Sequence, residues 1–299
     1  MQATTLDSQK PGQSSMILYF WRGNYEKKYL LFPMKQSFFF ILAVLFFCSC
    51  HSTDDDSDVV AISTPAIKYQ EVDYFLHDTS LFTEGLLMHN GKLFESTGSP
   101  DTFRKSLIGF NDLKTGHFVI KSALTNNKLF GEGIVFFKDK IYQLTYRTQT
   151  GYIYDASSFK QLDQFTYANK EGWGLTTDGT HLIMSDGTDS LTYLDPATLK
   201  PINHLKITEN GKARDSLNEL EYIKGYIYAN VWLSNNIVKI NAADGKVVGK
   251  IDISPLTFKA ALSRAGCGEP NGIAYDSTTD HMYITGKLWP YIFQLKLLP

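Results

Sequence analysis

Five repeats of a predicted strand pair constrain the fold of this 299-residue chain more than any other feature. The first strand of each pair begins with one of the residues Glu84, Glu132, Trp173, Asn218 and Asn271. The second strand follows within eleven residues, beginning at positions 93, 141, 182, 227 and 282. Turn residues such as Asn90-Gly91 separate the two strands. A repeat of this kind places equivalent residues from distant parts of the sequence around one axis.

The repeat length predicts an all-β fold, a five-bladed β-propeller. A propeller blade of four strands takes about 40–50 residues, and the second strands of neighbouring repeats begin 41 to 55 residues apart. The last repeat lacks its outermost strand, which residues 67–75 can supply. We therefore expect an N-terminal strand to complete the last blade and to close the ring, because closure hides the sheet edges. The apolar spacing at 256–265 predicts a short helix inserted before the fifth repeat.

The N-terminal region predicts export. Met34-Lys35 precedes an apolar run at 38–47, which suits a signal peptide and is too short to span a bilayer; a short membrane anchor is the alternative. Cys50 follows the small Ser49 and resembles the lipidated cysteine of a bacterial lipoprotein. We expect residues 1–33 to be an upstream extension that results from an over-long start assignment. A lipoprotein-type signal peptide follows at 34–50, an acidic flexible tether at 51–65 and the propeller at 66–299. The predicted location is the cell envelope, with the protein bound to the membrane through a lipid anchor and exposed to the periplasm or at the surface.

Charge and cysteine content exclude several classes of function. The formal net charge is −2 and no Lys- or Arg-rich stripe is present, so the sequence predicts no nucleic-acid partner. Besides Cys50, the predicted mature part contains only Cys267, which predicts neither a disulfide framework nor a cysteine metal site. We expect a monomer.

Two sets of equivalent positions predict a binding site at one mouth of the axial channel. The first set is the start of each innermost strand, and the second lies five residues into each following strand, at Gly98, Tyr146, Gly187, Trp232 and Lys287. In an antiparallel pair, the start of one strand lies beside the end of the next. Both sets therefore converge on the same mouth, where propellers and barrels place binding sites.

Six blocks of the chain, in order, resemble one family. They lie at 82–86, 93–98, 130–133, 172–179, 217–222 and 285–290. They are similar to signatures of the plant- and bacterial-type glutaminyl-peptide cyclotransferases, the glutamine cyclotransferase family. The resemblance implies a five-bladed propeller enzyme that converts N-terminal glutamine of peptides or proteins into pyroglutamate and releases ammonia. It also implies catalysis without a required cofactor or metal, although a structural calcium ion remains compatible with it.

The resemblance assigns roles to individual residues. It implies that Glu132 is the acid/base, which takes a proton from the attacking amine and returns it to the leaving nitrogen. It implies that Asn218 and Lys287 are donors to the developing oxyanion. The implied substrate-binding residues are Phe82, Glu84, Phe130, Tyr146, Trp173 and Trp232. Tyr146 stands where the family commonly has Trp, and Glu84 stands where the plant enzymes have Gln, which adds charge near the site.

Two other interpretations use the same residues. Glu84, Glu132, Asn218 and Asn271 around one axis could hold a calcium ion, as in lactonase-like propeller hydrolases. The ammonium of Lys287 opposes that interpretation, because it would repel a divalent cation. The other alternative is a non-catalytic propeller that binds peptides or glycans, in which case no ammonia is released.

Overall fold

The computed structural model describes residues 63–99, 105–126 and 128–299. The predicted extension, signal peptide, Cys50 and most of the predicted tether therefore lie outside the described residues. Within the described part, no helix combines the length and apolar character of a membrane-crossing segment.

Within the described residues, the strands form five antiparallel four-stranded sheets, arranged as the predicted five-bladed propeller. The first is built from β2 to β5, at Thr83–His89, Lys92–Thr97, Leu107–Asp112 and His117–Ala123. The second is built from β6 to β9, at Gly131–Phe137, Lys140–Thr145, Thr150–Asp155 and Gln161–Thr166. The third is built from β10 to β13, at Leu175–Thr177, Leu182–Met184, Ser190–Leu194 and Pro201–Lys206. A short hairpin follows, made of β14 (Thr208–Glu209) and β15 (Lys212–Ala213).

The fourth and fifth blades complete the set. The fourth is built from β16 to β19, at Leu217–Ile223, Tyr226–Val231, Asn236–Asn241 and Val247–Asp252. The last three strands, β20 to β22, lie at Pro270–Asp276, His281–Gly286 and Tyr291–Leu297. The N-terminal strand β1 (Tyr69–Leu76) pairs antiparallel with β22, from Tyr69 opposite Leu297 to Leu76 opposite Tyr291. The fifth sheet therefore combines both ends of the described chain.

The predicted helix is present as α1 (Ser254–Ser263), two residues earlier than the sequence pattern indicates. Pro255 lies in its first turn, where a proline is favoured because that turn's N–H groups lack helical partners. Leu256 and Ala260 are the buried residues of α1. They join an apolar cluster with Ile253 and Phe293, so the helix is packed onto the fourth and fifth blades.

Apolar side chains from neighbouring blades pack into shared clusters. Leu87 and Phe94 of the first blade pack with Ile134 and Phe136 of the second. Leu86 of the first blade joins a cluster with Ile292 of the fifth, across the point where the ring closes. Each blade therefore buries its faces against its neighbours, as in other repeat architectures.

A buried polar network lies at the same junction. The Glu95 carboxylate accepts hydrogen bonds from Thr83 Oγ1 (2.8 Å) and Asn111 Nδ2 (2.7 Å), and it is 3.0 Å from His77 Nε2. Burial lowers the pKa of His77, but the charge and hydrogen bond of Glu95 outweigh this effect and leave the pKa above its usual value. Buried charges need such partners, and Glu95 therefore has a structural role.

The innermost strands approach one another closely at the axis. The second repeat position, which directly follows Glu84, Glu132, Trp173, Asn218 or Asn271, therefore requires glycine in several blades. A Cβ atom on Gly133 would lie 2.6 Å from the Leu175 backbone nitrogen of the next blade. A Cβ atom on Gly174 would lie 2.2 Å from the carbonyl oxygen of Asn218. Neither distance is compatible with a side chain, so the backbones would have to separate.

We expect Gly174→Ala to lower the free energy of unfolding by about 3 kcal/mol, because overpacking here pushes backbone against backbone. Gly225→Ala is the control, since no atom lies within 4 Å of a Cβ built there. Its φ of 86° should limit the cost to about 1 kcal/mol. Urea unfolding of the purified variants measures both values. Equal losses would show that the close approach at Gly174 is not limiting.

Candidate active site

β-Bulges at the axis turn polar side chains toward the site. The pairing register shifts between Thr83 and Gly85, between Gly131 and Ile134, between Leu217 and Leu220, and between Pro270 and Ile273. These four shifts contain the first repeat positions Glu84, Glu132, Asn218 and Asn271. A bulge leaves a residue out of the ladder and redirects its side chain. The backbone irregularity is thus the reason that these buried strands present polar groups.

Glu84, Glu132 and Lys287 form a buried charged cluster. Lys287 Nζ lies 3.1 Å from Glu84 Oε1, and Asn271 Nδ2 donates a 2.9 Å hydrogen bond to Glu84 Oε2. The carboxyl groups of Glu84 and Glu132 are close enough to influence each other's pKa: Glu132 lowers the pKa of Glu84, and Glu84 raises the pKa of Glu132. Two neighbouring carboxyls do not readily ionise together, so ionisation of one raises the pKa of the other.

Burial sets the protonation of this cluster. It raises the pKa of Glu84 to about 7, although the nearby Lys287 ammonium opposes the shift. Burial and the Glu84 charge raise the pKa of Glu132 well above its usual value. Burial lowers the pKa of Lys287, but the charges of Glu84 and Glu132 outweigh it and hold the pKa above the usual value. The cluster therefore pairs an ammonium with two carboxyls whose pKa values are both raised.

Aromatic side chains form a half-buried wall beside the cluster. Lys287 Nζ lies 4.8 Å from the centre of the Phe82 ring. The rings of Phe82 and Phe130 are 5.9 Å apart between centroids, and the same distance separates Phe130 from Tyr146. The charged cluster is thus continuous with an apolar surface drawn from the first, second and fifth blades.

Trp173 and Trp232 form a second aromatic pair. Their ring centroids are 5.6 Å apart in an edge-to-face arrangement. A Cβ atom on Gly187 would lie 2.7 Å from Trp173 Cη2, so the indole rests on the backbone of Gly187. Gly98 receives the Phe130 ring in the same way, with 2.2 Å between a built Cβ and Phe130 Cζ. Two glycines of the second set of equivalent positions therefore make room for aromatic rings.

Asn218 contributes a buried amide at the first repeat position of the fourth blade. Its side chain is 5% exposed, and its Oδ1 has no hydrogen-bond partner among the described residues. An unpaired buried polar atom is costly, by about 1–3 kcal/mol. A bound ligand that offers an N–H group would remove this cost.

The structure links most of the predicted site residues through direct contacts. One group is Lys287, Glu84, Glu132, Phe82, Phe130 and Tyr146; the other is Trp173 and Trp232. Asn271 belongs to the predicted repeat set, and outside the calcium alternative the sequence assigns it no role. Sequence reasoning missed Glu171 and Arg147, which connect the two groups. The only local signal was the position of Glu171 two residues before Trp173.

The described residues contain no cluster of three or more His, Cys, Asp or Glu side chains with the geometry of a metal site. The charged cluster itself fits a divalent cation poorly, because the ammonium of Lys287 already pairs with Glu84. Calcium requires six to eight oxygen ligands, and the nearest neighbours of Glu84 instead include this ammonium and the Asn271 amide nitrogen.

Comparisons with known proteins agree with the fold and with the predicted family. A family model described as glutamine cyclotransferase matches residues 41–297. A glutaminyl-peptide cyclotransferase of Arabidopsis thaliana is 40% identical over 225 residues, which cover 75% of this chain and 69% of that protein. The crystal structure of Myxococcus xanthus glutaminyl cyclase matches with a TM-score of 0.72 and 30% identity. That match covers 79% of this chain and all of the other. The chain belongs to the glutamine cyclotransferase family.

Proposed function

We propose that this protein is a glutaminyl-peptide cyclotransferase, which converts the N-terminal glutamine of peptides or proteins into pyroglutamate and releases ammonia. The family and the Arabidopsis relative support this activity. The observation that carries the mechanism is the buried pair of neighbouring carboxyls, Glu84 and Glu132, beside Lys287. This pair can hold and exchange a proton where the reaction needs one.

The reaction joins two groups of the same residue. The neutral α-amine attacks the side-chain amide carbon, forming the carbon–nitrogen bond that closes a five-membered ring. A free α-amine has a pKa of about 8, so much of the substrate arrives protonated near neutral pH. Before attack the α-ammonium gives this proton to the solvent, so that Glu132 remains able to take the proton that the attacking nitrogen releases.

Glu132 carries the proton transfers that complete the reaction. The attacking nitrogen gives up one proton to the carboxyl, and the bond from the carbon to the amide nitrogen then breaks. The leaving nitrogen takes a proton back and departs as ammonia, so the carboxyl is regenerated. A single carboxyl that acts first as base and then as acid suits a raised pKa, and burial gives Glu132 this property.

Lys287 and Asn218 stabilise the oxyanion that forms on the amide oxygen. The Lys287 ammonium is held by Glu84 at 3.1 Å, so it does not need to be reoriented during the reaction. Pre-positioned donors of this kind act mainly on charge that develops in the transition state. The wall of Phe82, Phe130 and Tyr146, with Trp173 and Trp232, encloses the first residue of the substrate.

The propeller at 66–299 acts as the catalytic domain of an envelope protein in this proposal. Residues 34–50 have the composition of a lipoprotein signal, and Cys50 stands at the position of a lipidated cysteine. A lipid anchor at Cys50 would hold the monomeric enzyme at the membrane. Metabolic labelling with a fatty acid, compared between the wild type and Cys50→Ala, tests this location.

Glu132→Gln should lower ammonia release from a Gln-initiated peptide by at least about 10²-fold, because the amide cannot exchange the proton. Mass spectrometry of the peptide measures the loss of about 17 Da, the mass of ammonia, that accompanies ring closure. Undiminished release by this variant would remove Glu132 from the mechanism.

Two controls separate the alternatives in the same assay. Cyclisation by the wild type should persist in EDTA, whereas a calcium-dependent hydrolase would lose its activity. A non-catalytic binding propeller would bind the peptide and release no ammonia, with or without the chelator. Inactive wild-type protein would therefore overturn the proposed function.

Lys287→Met should lower kcat by about 10²-fold and change KM much less, since a donor to the oxyanion acts on the transition state. Lys224→Met is the control, because Lys224 Nζ also pairs with an aspartate (Asp280, 2.8 Å) but the pair is exposed. Steady-state kinetics measure both constants. A change confined to KM would contradict the donor role.

Glu84→Gln should move the acid limb of the pH profile of kcat/KM to lower pH, by about one unit or more. In the wild type, the ionised Glu84 raises the pKa of Glu132, so removing this charge lets Glu132 ionise at lower pH. The Lys287 ammonium, released from Glu84, acts in the same direction. Profiles of kcat/KM recorded between about pH 5 and pH 9 measure the shift. An unchanged or raised limb would refute the coupling of the two carboxyls.

A further inference from the structure

A chain of three polar contacts runs along the rim of the site, from the second blade to the third. Arg147 Nη2 donates to Tyr146 Oη at 2.8 Å, and Arg147 Nε donates to Glu171 Oε1 at 2.8 Å. The other oxygen of Glu171, Oε2, accepts a 2.9 Å hydrogen bond from Trp173 Nε1. Glu171 therefore uses its two oxygens on two different sides of the mouth.

The chain controls the orientation of both aromatic side chains. The indole of Trp173 has a single N–H donor, and Glu171 accepts it. The guanidinium of Arg147 lies 4.4 Å from the centre of the Tyr146 ring, so it contacts the ring face as well as the hydroxyl. Trp173 and Tyr146 thus each have one polar group, the indole N–H and the hydroxyl. The indole N–H contacts Glu171 directly, and the hydroxyl is connected to it through Arg147.

Backbone contacts already join the two loops without these side chains. Gly172 N donates to the Tyr146 carbonyl at 2.9 Å, and Gly133 N donates to the Trp173 carbonyl at 2.8 Å. The path of the main chain through this region is therefore fixed independently of Glu171. What the carboxylate adds is the direction of the aromatic rings.

The exposure of the ion pair argues against a role in stability. The side chains of Arg147 and Glu171 are 65% and 25% exposed, and exposed pairs contribute about 0–1 kcal/mol to folding. A pair that contributes so little to folding leaves the placement of the aromatic rings as the role that its geometry supports.

We infer that Glu171 is a positioning residue, whose carboxylate holds Trp173 directly, and Tyr146 through Arg147, in the arrangement that encloses the substrate's first residue. This inference rests on the proposed function, because it assigns the aromatic pair to substrate binding. Glu171 itself does not exchange protons with the substrate. Its effect passes through the two rings, so it acts on substrate binding more than on turnover.

The first test compares two substitutions at this position. Glu171→Ala removes both contacts and should raise KM for a Gln-initiated peptide about tenfold, the effect of losing one charge-assisted hydrogen bond, with a smaller change in kcat. Glu171→Gln keeps one oxygen for Trp173 Nε1 but presents an NH₂ group to Arg147, so its KM should rise less. An unchanged KM in Glu171→Ala would overturn the inference.

The second test removes the partners of Glu171. In a Trp173→Phe/Arg147→Ala background, the ring stays but both contacts to the carboxylate are lost. Adding Glu171→Ala to this background should then leave KM unchanged within about twofold, as the double-mutant logic requires. The same tenfold rise in this background would show that Glu171 does not act through these partners, and it would overturn the inference.

Asp189→Ala is the matched control for loss of a surface ion pair. Lys206 Nζ lies 2.7 Å from Asp189 Oδ1, and the two side chains are 69% and 28% exposed, close to the values for Arg147 and Glu171. This variant should keep the wild-type KM, and its unfolding midpoint should match that of Glu171→Ala. A much lower midpoint for Glu171→Ala, with kcat falling in parallel, would indicate a structural role and overturn the inference.

Wild-type ammonia release, measured first, separates this inference from the proposed function. Inactive wild-type protein would overturn the proposed function itself. An active wild type whose KM is insensitive to Glu171→Ala would overturn only the positioning role.

Discussion

The close approach of the innermost strands at the axis is the constraint on which the rest of the structure depends. Gly133 and Gly174 leave no room for a Cβ atom against the next blade, and Gly85 and Gly272 occupy the same repeat position. In the fourth blade this position is Glu219, whose carboxylate accepts hydrogen bonds from Leu86 N (3.1 Å) and Ile273 N (2.8 Å). Four glycines and one long acidic side chain therefore occupy the repeat position at which the blades approach one another. The glycines let backbones touch, whereas Glu219 bridges the first and fifth blades from the fourth.

This packing also explains why the site is chemically unusual. The bulges that accompany the close approach turn Glu84 and Glu132 out of the ladder, but the surrounding blades keep both carboxyls buried. Burial disfavours ionisation of the two carboxyls, whereas the neighbouring Lys287 ammonium favours it, and the effect of burial is the larger. The raised pKa values are thus a consequence of the architecture. A carboxyl at the same repeat position in an open sheet would face water and titrate as an ordinary glutamate.

The sequence predicted the ring and the floor of the site better than its rim. The repeat places Glu132 and Asn218 in the first set of equivalent positions and Lys287 in the second, and both sets are predicted at one mouth. The spacing also predicts the five blades. Glu171 and Arg147 lie outside both sets of equivalent positions, so no periodic signal marks their contact. The approach of the Glu84 and Glu132 carboxyls likewise depends on side-chain direction at two bulges. The start of α1 was misplaced by two residues because the apolar pattern begins after the Pro255 that starts the helix.

The floor of the site contains Glu84 and Glu132, and its rim contains Glu171 and Arg147. The two are held by different kinds of interaction, and this difference has a functional consequence. Backbone packing fixes the strands that carry Glu84 and Glu132, so these groups stay in place whether or not a substrate is bound, which is what electrostatic catalysis requires. The rim depends on side-chain hydrogen bonds in a partly exposed ion pair, which can break and re-form at little cost. A peptide terminus must enter and its product must leave through this rim. The rigid floor therefore serves the chemistry, and the adjustable aromatic rim serves entry of the substrate and release of the product.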